Sequence, residues 1–170
     1  GTYVYDLELE NVAYAYFVRS TVAHARIIEV NIDDARDAPG VIGVLTADEI
    51  GIGQINPGLQ MVSATFARTP LATDTVRYVG DPVVVIVAET FEQAVDAAEL
   101  VYIDYDYLPT IVDPEEALDE NTEPIFPAQG NNVAFTLADP AEDVLADATY
   151  VVRGRYVNQR VAGAPLEPNS

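Results

Sequence analysis

The sequence predicts an α+β fold, a mixed sheet with a few short helices packed on it, and three stretches carry that expectation. Val83 to Val87 is an unbroken apolar run, β-branched at every position, which suits a strand covered on both faces. Phe91, Ala94, Val95, Ala98 and Val101 recur at helical spacing, behind a Thr90/Gln93 pair with the spacing of a capping box. In ARIIEVNI, residues 25–32, Ile28, Val30 and Ile32 alternate with Glu29 and Asn31, as one covered strand face requires.

Taken in order, Ala13 to Arg19 is a first strand, rich in aromatic and β-branched positions. Ala25 to Ile32 is the second, and Asp33 to Ala38 is one helical turn stopped by Pro39-Gly40. Val41 to Leu45 is strand-like, and the Thr46/Glu49 capping pair starts a short helix. Gly51 to Ala67 mixes Gly, Pro and Asn without a period and reads as a long surface loop. Gly80-Asp81-Pro82 supplies turn chemistry before the buried strand. With the helix from Phe91 and a strand from Leu100 to Tyr107, it forms a β-α-β unit. Asp113-Pro114-Glu115-Glu116 orders an N-cap, a first-turn proline and a carboxylate, and Asp139-Pro140-Ala141-Glu142 repeats the device. TYVVRGRYVNQR, residues 149–160, alternates as a long strand.

At 170 residues the chain is one domain, or one domain and a tail, able to bury roughly 70% of its unfolded surface. There is no Cys, which excludes disulfides, thiolate metal sites, iron–sulfur clusters and thiol nucleophiles within the segment. All 8 basic residues are Arg, which excludes a Schiff-base or P-loop lysine and a lipoyl or biotinyl carrier site. One histidine, His24, cannot build a multi-histidine metal site. The net charge of −20 argues against nucleic acid and anionic membranes, and fits a solvated acidic surface or a high-salt medium. No run approaches the ~20 apolar residues a bilayer span needs, and no secretory signal opens the chain, so a cytoplasmic location is expected. Without an initiator Met, Gly1 reads as a trimmed start. The close of the chain, with no cap or returning apolar run, reads as a cut.

Each candidate site has a plainer structural reading. Asp104 and Asp106 share one strand face, yet two ligands are too few for a hard cation and a solvated face suffices. The acidic run Glu115, Glu116, Asp119 and Glu120 lacks EF-hand spacing. Gly51-Ile52-Gly53 lacks the third glycine and the preceding strand of a dinucleotide fingerprint. His24 fits a backbone hydrogen bond at a strand edge, and the tyrosines fit sheet and interface positions. Arg19, Arg26, Arg77 and Arg160 are expected to pair with carboxylates. No residue is assigned a catalytic, cofactor-binding or metal-binding role.

Six blocks, in order, carry a family resemblance: GTYVYDLEL (1–9), FVRSTVAHARI (17–27), DAPGVIGVLTADEI (37–50), VRYVGDPVVVIVAET (76–90), AAELVYIDYDYLP (97–109) and NQRVAGAPLEP (158–168). Together they resemble the N-terminal part of the large, molybdenum-carrying subunit of the xanthine dehydrogenase, aldehyde oxidase and aerobic carbon monoxide dehydrogenase family, with wording closest to the carbon monoxide branch. The resemblance implies an α/β-hammerhead domain over residues 1–150 and, over 151–170, a strand leading into a molybdopterin-binding region. It implies no cofactor on this segment, molybdopterin in the parent subunit, and iron–sulfur and FAD groups in partner subunits or domains. The implied partners are the rest of the large subunit and the iron–sulfur and flavin subunits. The implied role is structural, with a share in the wall of the substrate route, and the segment alone is expected to be inactive. Gly80, Asp81, Pro82, Gln159, Arg160 and Glu167 are the candidate contacts with other domains, together with the Gly51–Ala67 loop. The alternative is a free-standing acidic interaction module of the same architecture.

Overall fold

A computed structural model describes residues 3, 7, 9–137 and 145–158. It divides the chain into two units, one spanning Val12–Thr136 and the other made of Gly1–Asn11 with Leu137–Ser170. Among the described residues, the regular structure lies in the first. Its elements are β1 (Tyr14–Arg19), β2 (Ala25–Asn31), α1 (Asp33–Arg36), β3 (Val41–Leu45), α2 (Ala47–Ile50), β4 (Thr75–Val76), β5 (Pro82–Ala88), α3 (Phe91–Ala98) and β6 (Tyr102–Tyr107). Single 3₁₀ turns occupy Ala64–Phe66, Glu116–Leu118 and Pro127–Gln129. The α+β class is as expected.

The strands form two three-stranded sheets, ordered β1-β5-β3 and β4-β2-β6. Every strand pairing among the described residues is antiparallel. The expected β-α-β unit is therefore corrected: β5, α3 and β6 follow one another, but the two strands belong to different sheets. Both edges of β5 are already taken by β1 and β3, so β6 pairs with β2 instead.

β5 is the centre of the core. Val83, Val84, Ile86 and Ala88 are buried, as an all-apolar central strand must be. They cluster with Val44 of β3, Ala35 of α1, Ala94 and Ala97 of α3, and Ala25 and Val76 from the second sheet. The helix α3 starts as predicted, with the Thr90 hydroxyl accepting the Gln93 N–H at 3.2 Å and the Gln93 side chain accepting the Thr90 N–H at 3.1 Å. Tyr16 of β1 meets the Phe91 ring edge-on, with centroids 6.0 Å apart, fastening the helix to the sheet. Gly40 (φ +76°) carries the turn into β3 and accepts the Glu89 N–H at 2.9 Å, and a Cβ there would meet the Gln93 side chain.

Two bulges change what alternation predicts. In β2 the register shifts between Ile27 and Glu29, so Ile27 and Val30 pack inward while Ile28 is 60% exposed. The expected Ile28–Val30–Ile32 face is thus broken, because one extra residue in a strand inverts the phase beyond it. In β3 a shift between Val41 and Gly43 turns Ile42 outward in the same way.

Other differences follow from length. The Gly51–Ala67 loop is confirmed, with an isolated bridge from Ile55 to Arg68 and one 3₁₀ turn at its end. The helix expected after Asp113 is a single 3₁₀ turn, with the Asp113 carboxylate accepting the Glu115 N–H at 2.7 Å. The Asp139–Glu142 device lies outside the described residues. The long strand expected over Thr149–Arg160 is not formed over its described part, Thr149–Asn158. Tyr150, Val152 and Tyr156 are about nine-tenths exposed there. Alternation supplies a strand with faces, but a strand also needs a neighbour to take its backbone hydrogen bonds.

Candidate functional site

The Gly80-Asp81-Pro82 turn is bound into its own domain at almost every polar atom. Asp81 is 7% exposed. Its Oδ2 accepts the Arg77 backbone N–H at 3.0 Å, and its Oδ1 stands 4.0 Å from Arg68 Nη1. Ser20 N–H donates to Asp81 O and Gly80 N–H donates to Ser20 O, each at 2.8 Å. Arg19 Nη1 donates to Gly80 O at 3.0 Å, and Ala72 N–H to Pro82 O at 2.7 Å. Gly80 holds φ +96°, a left-handed conformation that glycine reaches without a Cβ clash. What the turn offers outward is its approach, Tyr78 and Val79, both exposed. Below it, burial pushes the Tyr105 phenol up, a hydrogen bond with Ser20 works against that shift, and the Asp81 carboxylate adds to it.

The arginines divide in a way the sequence does not foretell. Arg26 pairs with Asp106 at 3.0 Å, as expected. Arg19 and Arg77 pair with no carboxylate among the described residues. Arg19 uses Gly80 O and the Phe17 ring. Arg77 donates to Thr75 O at 3.0 Å and Ile125 O at 3.4 Å, with its guanidinium 4.8 Å from the Phe126 ring centroid. It clamps β4 to the segment before the last 3₁₀ turn. The physical reason is local geometry: these guanidiniums lie beside carbonyls of the turn, of β4 and of the segment before the last 3₁₀ turn, and a carbonyl oxygen can also accept a guanidinium N–H. Arg160 lies outside the described residues, as do Gln159 and Glu167.

Two clefts open beside these arginines. The larger, about 650 Å³, lies between the 51–67 loop and the turn, with Ile55, Pro57, Phe66, Arg68, Tyr78 and Phe126 among its walls. A second, about 570 Å³, carries His24, Arg26, Asp74, Glu116 and Glu123. His24 Nδ1 is 2.7 Å from Pro109 O, the backbone partnership its strand-edge position suggests. Asp104 and Asp106 stand on the exposed face of β6, and Asp106 is taken by Arg26. Gly51 ends α2 with φ +62°, a helix-stop role rather than part of a nucleotide loop. Among the described residues no group of three His, Cys, Asp or Glu side chains could hold a metal ion. No buried side-chain nitrogen or oxygen there lacks a partner, so none points to an absent ligand. The donor set does not fit a resident metal, and no step of a metal-centred reaction is assigned to it.

The family model for the aldehyde oxidase and xanthine dehydrogenase a/b hammerhead domain matches residues 1–109. The chain belongs to that hammerhead family. It is 37% identical, over its whole length, to the 6-hydroxypseudooxynicotine dehydrogenase complex subunit gamma of Paenarthrobacter nicotinovorans, covering 22% of that protein. It is also 37% identical, over 70% of its length, to the carbon monoxide dehydrogenase large chain of Afipia carboxidovorans, covering 14% of it. Equal identity to these two relatives does not favour the carbon monoxide branch. Among solved structures, a Cu,Mo-CO dehydrogenase in its carbon monoxide-reduced state superposes with a TM-score of 0.64. That match has 34% identity and covers 71% of this chain and 15% of that one. The hammerhead chain therefore spans about a fifth or less of the relatives it matches.

Among the residues lining the larger cleft, sequence reading singled out Asp81 and Pro82 of the turn but not Arg68, Tyr78 and Phe126. Tyr78 lies inside the VRYVGDP block and carried no distinguishing signal beyond its type. Arg68 and Phe126 are 58 residues apart, and only the folded chain brings them to one cleft.

Proposed function

We propose that this chain is the N-terminal hammerhead domain of the large subunit of a molybdopterin-dependent oxidoreductase, and that it acts as a scaffold. In this reading residues 1–150 form the hammerhead and residues 151–170 lead into the molybdopterin-binding region. The chemistry belongs to polypeptide beyond this chain, where molybdopterin supplies oxidation or hydroxylation, and iron–sulfur and flavin partners take the electrons. The domain contributes packing, and its 51–67 loop and the approach to Gly80-Asp81-Pro82 meet other domains and form part of the wall along the substrate route. Gln159, Arg160 and Glu167 are assigned contacts of the same kind from their place in the 158–168 block.

One observation carries this reading: the family match over residues 1–109, in a chain alignable end to end with a relative more than four times longer. That relative is named as one subunit of a complex, which supports partner subunits here. No helix among the described residues is long and apolar enough to cross a membrane, which is consistent with a cytoplasmic enzyme. The gene itself tests the proposal. An open reading frame that runs on for several hundred residues, with glycine-rich loops and a catalytic glutamate, is the expected result. A stop codon directly after Ser170 would contradict it and leave a free-standing acidic module.

A further inference from the structure

Arg68 is the guanidinium this domain leaves open. Its backbone is fixed by the reciprocal bridge with Ile55, at 2.8 and 3.2 Å. Its side chain lies 5.2 Å from the Tyr78 ring centroid and is 48% exposed. Its one ionic neighbour among the described residues is Asp81, whose Oδ1 faces it at 4.0 Å, beyond hydrogen-bond reach, while Oδ2 accepts the Arg77 N–H. With Arg77 also in the cleft wall, the cationic side chains there outnumber the one carboxylate. No side-chain N–H of Arg68 makes a hydrogen bond within the described residues, although a guanidinium carries five in a planar fork. Arg26 and Arg36 are held by carboxylates, and Arg19 and Arg77 by carbonyls. With 28 acidic residues against 8 basic ones, an arginine with no side-chain hydrogen bond is the exception among the five of Val12–Thr136.

The surroundings say what would use it. Ile55 and Tyr78 line the same cleft and are exposed, as are Leu59 and Val79, which follow the cleft residues Gly58 and Tyr78 in the chain. The cleft walls are mostly apolar, with Pro57, Val62, Phe66 and Pro70 behind the rim. A cation would be repelled by Arg68. A bare phosphate would leave the apolar walls wet. A carboxylate between apolar side chains satisfies both features, with the fork bonded bidentately and the walls covered. Acidic segments are repelled by the rest of so negative a surface, so charge complementarity selects this place.

We infer that the Arg68 cleft docks another domain of the same subunit through an Asp or Glu flanked by apolar side chains. The inference rests on the proposed function, since it needs a longer polypeptide. A benzophenone side chain replacing Ile55 in the full-length subunit, cross-linked by light and mapped by mass spectrometry, tests it. The expected product joins Ile55's position to a peptide beyond residue 170 in which a carboxylate lies beside apolar residues. Its yield should fall roughly tenfold with Arg68→Gln and hold with Arg26→Gln, which removes an equal charge elsewhere. Arg68→Lys, which keeps the charge but loses the fork, should fall between them.

A product insensitive to Arg68→Gln, a peptide without a carboxylate, or no product at all would overturn the docking surface. So would cross-links confined to residues 137–170 or to a separate subunit. Molybdenum content of the same preparation reads the proposed function independently. A metal-loaded subunit whose cross-links ignore Arg68 would sink the docking surface alone. An Arg68-dependent cross-link in a metal-free protein would sink the function alone.

Discussion

Asp81 and Glu49 show how single carboxylates work in a chain that has many to spare. Asp81 is buried at the foot of β5 and ties the Arg77 amide to the turn, so removing it leaves a part-buried donor without its partner. Asp81→Ala should cost about 2–3 kcal/mol and Asp81→Asn less, because the amide oxygen still accepts; urea midpoints separate the two. Glu49 is held below the ordinary carboxylate range, first by the Thr46 backbone N–H. Burial opposes that shift, while the Thr46 hydroxyl and the Arg36 guanidinium add to it. A depressed carboxylate stabilises the fold above its unfolded value of about 4.3, and that contribution vanishes as pH falls through the lower folded value. The stability difference between wild type and Glu49→Gln should therefore be constant above about pH 5 and shrink in more acid solution. An unchanged difference across that range would remove Glu49 from the account. At this scale the capping pairs were legible, since each spans four residues. The partners of Arg19, Arg68 and Arg77 were not, because they depend on strand ends and loops far apart in the chain.

Among the elements, β5, α3, α2 and the single turn α1 stand where periodicity and caps place them. Period alone tells which residues share a face, but not which strand takes the neighbouring edge. That is why β5 and β6, consecutive around α3, could be placed in order and yet not assigned to separate sheets. β4 escaped notice because two residues have no period, and the bulges at Ile28 and Ile42 escaped because nothing in their side chains marks an inserted residue. The bulges make a contrast that experiment can read. Ile86→Ala, in the centre of β5, should cost about 2–5 kcal/mol, through lost burial and a residual cavity. Ile28→Ala, equally apolar but turned outward, should cost under about 1 kcal/mol. Equal losses would return Ile28 to the covered face and remove the β2 bulge.

For the whole molecule, the −20 charge and the family assignment govern behaviour. Exposed carboxylates repel one another in dilute buffer, and at 1 M salt the screening length shortens to about 3 Å. Thermal stability should therefore rise as KCl is raised from about 0.1 to 1 M, since the surface pair Arg26–Asp106 loses less than the bulk repulsion does. A melting temperature that fell with KCl would mean attraction, not repulsion, dominates the surface. The acidity was plain from composition, and the family from six short blocks; what composition could not show is where the few cations gather. The most direct test of the scaffold account is metal analysis of two proteins: the complete gene product and the 170-residue chain, each purified from cells supplied with molybdate. The account predicts molybdenum near one per subunit in the first and none retained by the second. Molybdenum bound by the short chain, or a complete product free of it, would contradict the account.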